Sequence, residues 1–178
     1  VNILFCSDPL DKKQVDIDYS IEYETCKRLG FSVYLLDLES LLDHNIRSAM
    51  RSVRAQDTPK HALYRGWMMM PEHYRLLVEG AAERNIQMIN SPEAYKHCHY
   101  LPESYPLIQE FTPRTEWLSK DELQPDRIQQ VAARFGASPI LIKDYVKSRK
   151  HEWAEACYIP DASDYEHARR VVERFLEL

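Results

Sequence analysis

The chain has 178 residues, enough for one ordinary domain or two small ones. With 44% hydrophobic and 29% charged residues it has a folded, globular composition, and a core of that size needs no disulfide or metal staple. A formal net charge of −5 argues against general nucleic-acid affinity, which depends on neutralising phosphates, so any basic cluster needs a local explanation. The four cysteines, Cys6, Cys26, Cys98 and Cys157, are far apart and form no CxxC pair. That pattern leads us to expect reduced thiols in a cytoplasmic setting, and it argues against a zinc ribbon. No apolar run reaches membrane-spanning length, and "VNILFC" is too short and lacks the basic flank of a signal peptide. The missing initiator Met and the end inside "ARRVVERFLEL" suggest a piece of a longer gene product.

In chain order, "VNILFC" (1–6) reads as a buried strand followed by the loop "SDPLDKKQVDID". "YSIEYETCKRLG" is expected to be a helix with Ile21, Cys26 and Leu29 on its inner side and Gly30 as its stop. A second strand is expected over 31–39, and the spacing of Leu41, Leu42, Ile46, Met50 and Val53 predicts one helix over 40–54. "HALYRGW" (61–67) reads as a third strand, Pro71 opens the next helix, and "IQMIN" (86–90) is a fourth strand. In "SPEAYKHCHY", Ser91 suits a cap and Pro92 the first helical position. Strands alternating with helices predict βαβ units and a parallel sheet covered on both faces. The proline-marked "LPESYPLIQEFTP" (101–113) reads as a crossover linker.

The remainder has another rhythm. "RTEWL" is expected to be a short strand, and Ile128, Val131, Ala132 and Phe135 predict a helix ended by Gly136. Then come "PILIK", a basic turn, the strand-like "EACYIP", and a last helix with Tyr165, Ala168, Val172 and Phe175 inside. Its expected start is a capping box from Ser163 to Glu166. Two strands and a turn flanked by helices make a small α+β lobe.

Only Gly30, Gly66, Gly80 and Gly136 are present, which excludes a dinucleotide GxGxxG turn and a P-loop. His97 and His99 have no acidic or cysteine partner at metal spacing, and no catalytic nucleophile can be nominated.

Lys143 is the unusual residue. Strand alternation puts Ile140 and Ile142 on one face and Leu141, Lys143 and Tyr145 on the other. A lysine there either snorkels at a strand end or faces an anion, which is an internal carboxylate or a ligand phosphate. Lys147, Arg149 and Lys150 follow, as an ordinary solvated tip or as cations converging on one polyanion. His151 and Trp153 extend the cluster. In the first part, Arg65 stands at a strand end, where ligands of open α/β sheets gather; it faces a substrate or pairs with an acid such as Glu72. Asp8 and Asp18 lie in the loop after the first strand, with the same choice between substrate and solvent. Arg47, Arg51 and Arg54 read as a solvated stripe.

"ILIKDYVKSRKHEWAEACYIPDASD" resembles the phosphate-binding hairpin of ATP-grasp proteins, in the clade named for two arginines and a lysine, found in bacteria and their phages. "ILFCSDPLDKKQVD", "YRGWMM", "NSPEAY" and "QEFTPRTEW" extend the likeness upstream. The resemblance implies an α/β fold: a Rossmann-like preceding domain with a parallel sheet (1–105), then the small α+β first lobe of an ATP-grasp domain (106–178), with the second lobe outside this sequence. It implies that Lys143 contacts ATP phosphate and that Lys147, Arg149 and Lys150 form the loop closing over the phosphates, with basic side chains where the family has a glycine-rich loop. It further implies that Arg65 and Asp8 face a small-molecule or peptide substrate. The expected activity of the complete protein is ATP-dependent ligation of a carboxylate to an amine through an acylphosphate, with ATP and Mg2+ as cofactors and no nucleic-acid or membrane partner. The magnesium ligands are expected in the second lobe, so none is placed here and the chain alone is expected to be inactive. Two other readings stay open: a non-catalytic nucleotide- or partner-binding module, and an RNA- or protein-contacting patch from Lys147 to Trp153.

Overall fold

A computed structural model of the chain describes residues 1–146 and 150–178. They form two compact units, Val1–Lys96 and His97–Leu178.

The β-branched and apolar runs of the first unit make four strands: β1 (Asn2–Cys6), β2 (Ser32–Leu36), β3 (Lys60–Arg65) and β4 (Ile86–Met88). They pair in the order β2-β1-β3-β4, all parallel, with Phe5 opposite both Leu35 and Arg65. Alternation along β1 sends Leu4 to a core with Leu36, Ala62, Tyr74 and Leu77, while Ile3 and Phe5 pack with Tyr19 on the other face. The first face is covered by α2 (Leu38–Leu42), α3 (Ile46–Ala49) and α4 (Pro71–Ala82). The expected single helix over 40–54 is therefore two. Asp37 caps α2 by accepting from the Ser40 amide, and Asn45 caps α3 by accepting from the Ser48 amide. His44, at φ 58°, turns the chain between them.

The second face is covered by α1 (Ser20–Arg28), but not by the stripe its sequence suggests. Ile21 and Leu29 are 82% and 68% exposed, whereas Tyr19, Tyr23 and Cys26 pack inward at helical spacing. The Phe5 and Tyr23 rings meet edge-on at 5.5 Å, so two large aromatic bodies won the inner positions over a single isoleucine. Cover ends at β3, where Leu63, beside Ile3, is 40% exposed. After α4, begun by Pro71 as expected, Ser91 accepts from the Ala94 amide at 3.1 Å and opens α5 (Pro92–His99).

In the second unit the expected linker is partly a helix, α6 (Leu101–Ile108). Pro102 lies in its first turn, where its missing N–H is not needed, and Pro106 removes only one intrahelical hydrogen bond. "RTEWL" forms no strand among the described residues. The Thr115 amide donates to the Tyr105 hydroxyl at 3.1 Å instead of to a strand partner, and the Arg114 side chain donates to the Arg134 carbonyl at 2.9 Å. Helix α7 (Pro125–Ala133) follows, and Gly136 at φ 59° ends the segment.

Strands β5 (Ile140–Leu141) and β6 (Tyr158–Ile159) pair antiparallel, Ile140 with Ile159 and Leu141 with Tyr158. They are not joined by a simple hairpin turn, because a 3-10 turn (Lys150–Glu152) and α8 (Trp153–Ala156) lie between them. Only the end of "EACYIP" is strand. The last helix, α9 (Tyr165–Glu177), buries Ala168, Val171 and Val172 against Ile159, with Ile140 and Ile142 alongside. Its cap is Asp164, which accepts from the His167 amide at 2.9 Å, one residue later than the box from Ser163. Asp164→Ala is expected to cost about 1 kcal/mol, while Ser163→Ala stays within about 0.5 kcal/mol. Denaturant unfolding of the two variants distinguishes the two starts.

Candidate functional site

In the second unit, β5–β6 has two unlike faces. Ile140, Ile142 and Ile159 turn toward α9. Cross-strand partners share a face, so Leu141 and Tyr158 both turn away from α9. Leu141 is 58% exposed, and Trp153 stacks on Tyr158 at 5.8 Å with 11° between ring planes. An aromatic and aliphatic shelf results, in which Trp153 is half exposed.

Lys143 follows two residues after Leu141. It is not within a strand, since β5 ends at Leu141, although the Ile142 amide still donates to the Cys157 carbonyl at 2.8 Å. Its side chain is exposed rather than stripped of water. It makes no ion pair among the described residues, so of the partners the alternation allowed, an internal carboxylate is not found there. The segment behind it is tethered: the Leu101 amide donates to the Tyr145 carbonyl at 3.1 Å, and the Tyr100 and Tyr145 rings meet at 5.9 Å. Lys147 and Arg149 lie outside the described residues, as does the side chain of Lys150. The shelf of Leu141 and Tyr158 was not singled out from sequence. Alternation gives Leu141 the side of Lys143, but only the strand register brings Tyr158 and Trp153 to it.

The first unit gathers polar groups at the carboxyl ends of β1 and β3, where the sheet order reverses. Arg65 is 50% exposed and forms a two-pronged ion pair with Glu22, its Nη2 donating at 2.6 Å. The partner is Glu22 on α1, not Glu72. This pairing holds Glu22 below the usual carboxylate range and raises Arg65 further. The guanidinium lies 5.1 Å from the Tyr19 ring centroid. Trp67 meets the same ring edge-on at 5.6 Å and donates its indole N–H to the buried Asp16 at 2.8 Å. Below them the Tyr64 hydroxyl donates to the Trp67 carbonyl at 2.6 Å and lies 3.2 Å from the Cys6 thiol. Burial pushes both Cys6 and Tyr64 up, so neither ionises near neutrality.

Asp8 has a local task. Its Oδ1 accepts from the amides of Leu10 at 2.7 Å and Asp11 at 2.9 Å, and those bonds hold its carboxyl below the usual range. Asp18, Arg47, Arg51 and Arg54 are exposed. Among the described residues no group of three or more His, Cys, Asp or Glu is placed to hold a metal ion. All four cysteines are free thiols, and no described helix is long and apolar enough to cross a membrane.

No curated protein matches the chain. The strand pair, its aromatic shelf, Lys143 and the capping helix α9 all fall within residues 134–178, and this segment matches the model of an ATP-grasp domain, the third family of the clade named for two arginines and a lysine.

Proposed function

We propose that the chain is the nucleotide-holding part of an ATP-dependent ligase joining a carboxylate to an amine. The first unit is read as a Rossmann-like preceding domain, the sequence from about residue 106 as the first ATP-grasp lobe, and the second lobe as belonging to the complete protein. The observation that carries this reading is the open face of β5–β6: Leu141, Tyr158 and Trp153 offer an apolar surface for a base, and the exposed Lys143 follows two residues after Leu141. Stacking on an aromatic face and charge on a phosphate are the two contacts a nucleotide needs from such a surface.

Lys147, Arg149 and Lys150 are assigned to the phosphates with Lys143, and Arg65 and Asp8 to the substrate. A carboxylate is a poor electrophile. Attack of its oxygen on the γ-phosphorus, with ADP leaving, makes an acylphosphate. An amine nitrogen then attacks the acyl carbon, phosphate leaves, and the nitrogen gives up a proton. Cations around the transferring phosphoryl group stabilise that transfer. Mg2+ is expected with ATP, held outside the residues described here.

Lys143→Ala is expected to abolish ATP binding in calorimetric titrations of the complete protein. Unchanged ATP affinity would sink the assignment. A complete protein that binds ATP but forms neither acylphosphate nor amide with any acid–amine pair would favour the non-catalytic module.

A further inference from the structure

The loop after β3, Gly66–Met70, is apolar, exposed and rigidly held, three properties seldom found together. Trp67, Met68 and Met70 are 45%, 44% and 52% exposed. A soluble surface usually avoids such a run unless something binds it. Flexibility does not explain the exposure, because the backbone is pinned at successive points. The Trp67 indole is tied to Asp16 and its carbonyl to Tyr64, while the Met69 amide and carbonyl both bond to the buried Tyr95 hydroxyl at 3.0 and 3.1 Å. The backbone is fixed, and the side chains on either side of buried Met69 are turned out. Methionine adds a surface that adapts its shape to a ligand.

Charge stands next to this surface. Arg65 and Trp67 both pack on the Tyr19 ring, so the Arg65–Glu22 pair borders the indole. The pair is about half exposed, so water screens it and can reach both of its charges. A ligand carrying one carboxylate and one ammonium can therefore exchange with it cheaply, since each protein charge regains an opposite partner.

We propose that this site binds an α-amino acid with an apolar side chain: its carboxylate on Arg65, its ammonium on Glu22, and its hydrocarbon part on Trp67, Met68 and Met70. The inference rests on the ligase reading, in which such a molecule is one of the two reactants, and names its substrate class.

The test uses the full chain and calorimetric titration with L-phenylalanine, L-methionine, glycine, L-glutamate and 3-phenylpropanoate. The two apolar amino acids are expected to bind about tenfold or more tighter than glycine, as burial of one such side chain allows. Arg65→Gln and the surface pair Met68→Gln/Met70→Gln are each expected to lose about tenfold in L-phenylalanine affinity. The second variant touches only exposed side chains, so it reads the surface even where Trp67→Ala fails to fold. Glycine binding as well as L-phenylalanine, or full affinity retained in Arg65→Gln, overturns the inference. Equal binding of 3-phenylpropanoate removes the role of Glu22 and overturns the amino-acid class. Self-association abolished by Met68→Gln/Met70→Gln, with no amino-acid preference, overturns it in favour of a protein interface. ATP is titrated separately: nucleotide binding without amino-acid preference defeats this inference alone, and the reverse result defeats the ligase reading alone.

Discussion

Gly66→Ala is expected to destabilise the first unit by about 1–3 kcal/mol, although it adds a single methyl group. A Cβ at this position would overlap the Cys6 sulfur and stand 2.7 Å from the Tyr64 hydroxyl and 2.8 Å from its ring carbon. None of these atoms can give way freely. Cys6 is buried in β1, and the Tyr64 hydroxyl is committed to the Trp67 carbonyl. The measurement is urea unfolding of the wild type, Gly66→Ala, Cys6→Ala and the double variant. Removing the sulfur relieves the shortest contact, so the double variant should be more stable than the sum of the single effects by at least about 0.5 kcal/mol. Strict additivity would show that Gly66 is needed for another reason. Because this contact also places Trp67, the single variant should weaken L-phenylalanine binding as well.

Adjacent register positions on the two faces of β5–β6 should respond oppositely to the same charge. Ile159 is 1% exposed against Ala168 and Val171, so Ile159→Asp buries a carboxylate without a partner and is expected to unfold the second unit. Leu141 is 58% exposed on the other face, and Leu141→Asp should change stability by about 0.5 kcal/mol or less. On the proposed function it should still weaken ATP at least tenfold in the complete protein, by placing a negative charge on the base-binding shelf beside the phosphates. Circular dichroism and calorimetry on both variants separate the outcomes. An unfolded Leu141→Asp, or one with full ATP affinity, would show that this face is not the nucleotide surface.

Local chemistry was legible without the fold. The strand runs of the first unit, the helix starts at Pro71 and Pro92, the turn at Gly30 and the turning of Ile140 and Ile142 to one side with Leu141 on the other depend on neighbours a few residues away, and they appear in the structure as read, whereas Lys143 lies past the end of β5. The errors share a cause. The single helix over 40–54 overlooked Asp37 and Asn45, whose short side chains satisfy amides at two separate starts. In the expected linker over 101–113, Pro102 and Pro106 occupy positions that a helix tolerates, so proline content alone does not exclude α6. On α1, Cys26 packs inward as expected, but Tyr19 and Tyr23 take the places of Ile21 and Leu29, because the space beside Phe5 admits tyrosine rings.

Sequence alone thus determined the kinds of elements, the two faces of the "PILIK" strand and the likeness of the basic turn behind it to a phosphate-binding hairpin, because each is a matter of periodicity or contiguous motif. Tertiary structure alone decided that Arg65 pairs with Glu22 across 43 residues, that Trp67 bonds to Asp16 across 51, and that Tyr158 comes to stand beside Leu141. Those pairings follow from strand order and register, which bring distant segments to the same sheet end or the same face. No spacing along the chain encodes that placement.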